Sequence, residues 1–178
     1  MENLKLKDLK KYLKEKSDTD LINEIVELVK LYPNVKEYYK AKLIPQSEVE
    51  IFQKYKKIIE NEFFPDRGFG KLRYSNVNKA IIDYKKLSTN TELIAKLMFC
   101  YPEVGIKFTR EYGDIDEKFY EAIERAYINA LEYVHKNDLQ EIFVSQAHEL
   151  KVKSQDIGWG FSDNMADIYY EYYYDDIY

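Results

Sequence analysis

Apolar side chains recur at helical spacing along almost the whole chain, and this periodicity constrains the fold more than any other feature. Residues three and four positions apart share one face of an α-helix, so each run predicts an amphipathic helix. No stretch alternates apolar and polar residues with the period of two that a half-buried strand requires. The sequence therefore predicts an all-α protein of about nine to ten helices in antiparallel hairpins, arranged as a helix repeat or a bundle.

Length and internal similarity bound the domain organisation. At 178 residues the chain is long enough for one sizeable core, so we predict a single all-α domain over 1–178. Two gap-free matches indicate an internal duplication. They pair Tyr12–Ile22 with Tyr84–Ile94, and Tyr32–Val35 with Tyr101–Val104.

The matches define hypothetical repeat halves at 5–63 and 76–136, followed by a C-terminal helical cap at 138–178. Each half would contain four helices, and 5–43 and 76–112 would share a fold. The alternative is that helix starts and turns resemble one another through common chemistry.

Composition excludes more than it assigns. The net charge of −5 argues against a general polyanion binder, and we discount the 18 tyrosines and the many lysines because AT-rich codon usage favours both. No apolar run approaches the roughly 18 residues of a membrane span, and the amino terminus lacks the apolar core of a signal peptide. The expected location is the cytoplasm, with no membrane association. Cys100 lies in an apolar context and is expected to be buried and inert.

The least helical segment is Phe63–Arg73. It contains Pro65, two glycines and three cations, which could converge near the start of the next helix and bind a phosphate or another anion. The anion-binding candidates are Arg67, Gly68, Gly70, Lys71 and Arg73. A phosphate-binding P-loop is excluded by its spacing, since Pro65 stands in place of a required glycine. The alternative is an interhelix turn whose cations pair with acidic neighbours.

Two Gly-aromatic-Gly turns hold four of the six glycines, around Phe69 and Trp159. We expect both rings to act as loop anchors that fill hydrophobic pockets, and the two loops to lie close together. Asp163 or Asp167 would then neutralise the cations of the first loop. The competing interpretation is two independent turns at opposite ends of an elongated array.

Other candidate chemistry is weak. Glu132 and His135 form a lone Glu-x-x-His motif, and a di-iron site would need a second copy that His148 does not supply. No metal site, cofactor or catalytic residue is predicted. The tyrosines of the acidic carboxyl terminus form either an interaction surface or the packing face of a last helix.

Three strings resemble a family of small, uncharacterised bacterial helical proteins grouped as a domain of unknown function. They are Phe63–Arg73, Glu111–Asp116 and Ile157–Phe161. The resemblance implies a bacterial cytosolic protein and carries no activity, cofactor or catalytic residue. Positions 4–28 also resemble DNA-binding SAP helix hairpins in Leu9-Lys10 and in the Leu21 to Leu28 spacing. They lack the glycine-lysine turn of those modules, which puts DNA binding there in doubt.

These observations favour a non-enzymatic binding or scaffold protein with a protein partner. The alternative is phosphate or nucleic-acid binding through the basic loop 66–73, and an enzyme with an unfamiliar site is a third, weaker reading. Nothing in the sequence assigns an oligomeric state.

Overall fold

The structure, a computed structural model, describes residues 3–44 and 46–173. Within those ranges it contains nine α-helices and no strand, which confirms the all-α prediction. The chain divides into two compact units, Met1–Pro45 and Gln46–Tyr178. The single domain over 1–178 stays a prediction.

The first unit contains α1 (Leu6–Lys14), α2 (Asp18–Leu31) and α3 (Pro33–Leu43). Ser17 caps α2, since its side chain accepts a hydrogen bond from the backbone N–H of Asp20 at 3.2 Å. Pro33 occupies the first turn of α3, where a missing N–H costs nothing. None of these three helices has a buried residue.

The second unit contains six helices built around the longest one. They are α4 (Ser47–Phe63), α5 (Tyr74–Leu87), α6 (Thr91–Tyr112), α7 (Glu117–Lys136), α8 (Gln140–Lys153) and α9 (Phe161–Tyr173). Helix α6 contacts α4, α5, α7 and α8, and thirteen of its residues are buried. Asn90 caps α6 and Asp116 caps α7, since their side chains accept hydrogen bonds from the backbone N–H groups of Leu93 and Phe119. The core of this unit therefore surrounds α6.

Pro102 lies inside α6. A proline in a helix interior removes one hydrogen bond and costs about 3 kcal/mol. The buried residues on both sides of Pro102 offset that cost, because ending the helix would expose them. Gly105 lets α7 approach the same stretch, since a Cβ on it would lie 2.2 Å from Cδ1 of Ile123.

The two hypothetical repeats differ in structure at their matched prolines, Pro33 and Pro102. Tyr32 and Pro33 mark the boundary between α2 and α3, whereas Tyr101 and Pro102 lie within one continuous helix. Residues 5–43 hold three helices, and the segment 76–112 falls within two. The second sequence match thus corresponds to different local structures, and the duplication stays a hypothesis that rests on the first match.

Candidate functional site

Glu62 fixes the segment that joins α4 to α5. It lies in the last turn of α4 with its side chain 6% exposed, and it accepts hydrogen bonds from Nε and Nη2 of Arg73 at 3.0 and 2.8 Å. The backbone N–H of Arg73 and the side-chain amide of Asn76 also donate to this carboxylate. The hydrogen bonds from Arg73 lower the pKa of Glu62, although burial opposes them. Glu62 therefore ties the two ends of the segment together.

The backbone of the segment is also held by Glu62 and by the end of α4. The N–H of Leu72 donates to the carbonyl oxygen of Glu62 at 2.9 Å. Gly70 passes so close to the end of α4 that a Cβ on it would lie 2.3 Å from the carbonyl oxygen of Phe63. Gly68 has a φ of +79°, a conformation that side chains disfavour. Both predicted glycines thus have a structural reason that needs no bound anion.

Phe69 is displayed on the surface by this loop, 72% exposed. Its ring centroid lies 5.0 Å from that of Tyr112, whose ring stacks on Phe64 at 6.1 Å. The sequence analysis expected Phe69 to fill a pocket, but Phe63 takes the buried position, in contact with the rings of α6 and α7. Phe69 lies on the surface with one ring contact beside it.

The three predicted cations have different environments. Arg73 is paired with Glu62 and not with Asp163 or Asp167, so the expected clasp between the first loop and the last helix does not involve Arg73. Arg67 and Lys71 are exposed and have no ion pair or hydrogen bond with any residue that the structure describes. The loop therefore carries two unpaired positive charges, one before Phe69 in the chain and one after it.

Trp159 lies in the loop between α8 and α9, 61% exposed, with its ring stacked on Tyr120 at 6.5 Å. The loop is tied to α6 by Arg110, whose guanidinium donates to the carbonyl oxygens of Lys153 and Gln155. Trp159 itself has a φ of +63°, unusual for a residue with a side chain. The second expected anchor is thus also a surface ring.

A chain of ring contacts connects the two loops through the core. From Phe69 it passes through four intermediate rings to Trp159: Tyr112, Phe108, Phe119 and Tyr120. Both loops therefore rest on the same aromatic cluster. Whether they form one site stays a prediction.

A groove between α5, α6 and α7 is a second concave feature, which the sequence reasoning missed. It is open to solvent and has a volume of about 570 Å³. Its lining combines four apolar side chains with polar ones: Asn78, Lys85, Tyr101, Asn129, Glu132, Tyr133 and Lys136. Tyr101 is 2% exposed, and its hydroxyl has no hydrogen-bond partner within the described part of the chain. Burial raises the pKa of Tyr101 well above its usual value. An unpaired buried hydroxyl costs about 1–3 kcal/mol.

Reactive and metal-binding groups are scarce. Cys100 is buried, and burial raises its pKa to about 12, which suits the inert role expected from sequence. Among residues 3–44 and 46–173, no group of three His, Cys, Asp or Glu side chains could hold a metal ion. In the same ranges, no helix combines the length and apolar character needed to cross a membrane.

The tyrosines of α9 were expected either to form an interaction surface or to pack the last helix. Tyr169 and Tyr173 are buried, so these two rings pack α9 onto the second unit, while Tyr170 is partly exposed. Tyr174 and Tyr178 lie outside the described residues.

The fold and its surface features define an all-α protein with displayed aromatic side chains. The model of a family of unknown function, DUF6155, matches residues 4–173, and the chain belongs to that family. The resemblance found in the sequence to a family of unknown function is thereby confirmed. No curated protein and no solved structure matches the chain.

Proposed function

We propose that the protein is a non-enzymatic binding protein of the cytoplasm that uses the loop 66–73 to engage an acidic surface of a partner protein. One observation carries the proposal: a large ring, Phe69, is held in the open on a segment that buried Glu62 fixes in place. Because the Phe69 ring is exposed, the free protein lacks the stabilisation that burial of the ring would contribute. A partner that covers the ring would recover it.

The energetics suit a binding hot spot. Burying a phenylalanine side chain contributes about 1.5–3 kcal/mol. Little conformational entropy is lost on binding, because Gly70 and the Leu72 backbone hydrogen bond already fix the path of the loop. Arg67 and Lys71 flank the ring and add charges for an acidic partner.

The experiment is recovery of bound proteins on the immobilised full-length chain, from an extract of cells that naturally express it. Phe69→Ala should lower recovery of a specific partner by about ten- to hundredfold, the equivalent of the lost burial energy. Ile142→Ala is the matched control, because Ile142 is 54% exposed on α8. Equal recovery by wild type and Phe69→Ala would contradict the proposal.

Phosphate or nucleic-acid binding is the second candidate, favoured by the unpaired charges of Arg67 and Lys71. Since Arg73 is already paired with Glu62, two phosphate contacts are the expected maximum for the three predicted cations. Two contacts give a slope of about −2 in a plot of log affinity against log salt for a duplex. Recovery that falls this steeply with salt and disappears after nuclease treatment would favour this candidate over a protein partner.

A further inference from the structure

Two lysines of separate helices line the groove between α5, α6 and α7. Lys85 lies in the last turn of α5 and Lys136 in the last turn of α7, and both line the groove. Partial burial lowers the pKa of Lys85, and the positive charge of Lys136 lowers it further.

Neither ammonium group is neutralised by a carboxylate within ion-pair distance in the described ranges, although Glu132 also lines the groove. The neighbouring lysines of α5 behave differently, since Lys79 and Lys86 both pair with Asp83. A lysine near the carboxyl end of a helix interacts favourably with the helix dipole, which explains why Lys85 and Lys136 lie in the last turns of α5 and α7. The dipoles do not explain why both side chains reach the same groove.

One part of the groove is suited to an apolar body. Its walls there include Ile81, Ile82 and Met98, and the ring of Tyr133 lies beside Lys85, whose Nζ is 4.6 Å from the ring centroid. Asn78, Asn129 and Glu132 make the remaining lining polar. Apolar walls with a few convergent polar groups are typical of small-molecule sites.

We propose that this groove binds a small organic anion with a flat apolar body. Lys85 and Lys136 hold the anionic group, and the apolar walls from α5 and α6 cover the body. The site is independent of the loop 66–73.

The test uses two probes of nearly equal shape, naphthalene-2-carboxylate and its neutral amide naphthalene-2-carboxamide. Each is titrated into the ¹⁵N-labelled full chain, and the amide resonances are followed by NMR. The carboxylate should saturate with shifts in α5, α6 and α7, and bind about tenfold more tightly than the amide, because charged hydrogen bonds are the stronger kind.

Two variants locate the charge effect, one double and one single. Lys85→Gln with Lys136→Gln should remove the preference for the carboxylate and leave binding of the carboxamide within roughly twofold of wild type. Lys86→Gln, on the same helix but paired with Asp83, should preserve the preference.

Three results would each overturn the proposal. The first is equal affinity of the wild type for the two probes. The second is a preference for the carboxylate that survives loss of both groove lysines. The third is a set of resonance shifts that fall only outside α5, α6 and α7. Folding of each variant is checked by its unperturbed resonances in the other helices.

Discussion

Replacing Glu62 with glutamine is the most informative change to the loop, because it alters one buried group at nearly constant volume. In the wild type the Glu62 carboxylate accepts hydrogen bonds from three donor groups of Arg73 and one of Asn76. Glutamine keeps one oxygen acceptor, and its amide N–H₂ cannot accept from the guanidinium. Two N–H donors would then face each other in a buried place.

A hydrogen bond to a charged group contributes about 1.5–3 kcal/mol, and an unpaired buried donor adds a penalty. The Arg73 side chain is 54% exposed, so water recovers part of that penalty at its outer edge. The expected loss is therefore about 2 kcal/mol in the unfolding free energy of the second unit at pH 7.

The effect should depend on pH in one direction. The folded-state pKa of Glu62 lies below its ordinary value of 4.5, so its stabilisation is fully present above that value. It is lost as the pH falls through the folded-state pKa, when the carboxylate takes up a proton. Glutamine does not titrate, so the gap between wild type and Glu62→Gln should narrow in acid.

The assay is urea unfolding followed by the fluorescence of Trp159, the single tryptophan, which reports on the second unit. Glu60→Gln is the matched control on the same helix, because Glu60 is half exposed and pairs with Lys56 at 3.5 Å. That change should cost under about 0.5 kcal/mol. Equal losses for the two variants, or a gap that widens in acid, would refute the assignment of Glu62 as the anchor of the loop.

Three further predictions concern single positions in the second unit. Gly70→Ala should destabilise the unit more than Gly68→Ala in the same urea assay, since a Cβ at Gly70 meets backbone and one at Gly68 meets open space. Cys100 should resist a thiol reagent until the unit unfolds, so a fast reaction in native buffer would contradict its burial. Tyr101→Phe should cost no stability, whereas Tyr127→Phe should cost about 1 kcal/mol, because only the Tyr127 hydroxyl donates a hydrogen bond, at 2.9 Å. The reverse order in thermal unfolding would refute this comparison.

The sequence predicted the fold class because it depends on local patterns of apolar residues. Asp116 begins α7 through its own side chain, which spacing and residue type reveal. Pro102 shows the limit of such patterns. Its helix continues because residues distant in sequence bury both sides of it, and no local rule contains that information.

The candidate site depended on pairings between residues far apart in the chain. Arg73 was expected to find an acid in the last helix, but its partner is Glu62, eleven residues before it. A signal was present, since Glu62 follows Ile51, Tyr55 and Ile59 on the buried face of α4. A carboxylate on an apolar face requires a buried partner, and the nearest arginine after the loop was available.

The groove was missed for a different reason. Lysines are common in this sequence, and nothing local distinguishes Lys85 and Lys136, which line the same groove, from the others. Their convergence depends on how α5 and α7 pack beside α6, which the sequence alone does not show.

Photo-crosslinking from position 69 tests the central claim most directly. A benzophenone amino acid replaces Phe69 in the full chain, and the same residue replaces Ile142 as the control for an exposed apolar position. The account predicts a protein adduct at position 69 that resists nuclease, weakens when Arg67 and Lys71 are changed to glutamine, and is absent at position 142. An adduct no stronger at 69 than at 142, or one that nuclease removes, would contradict the claim that this loop engages a partner protein.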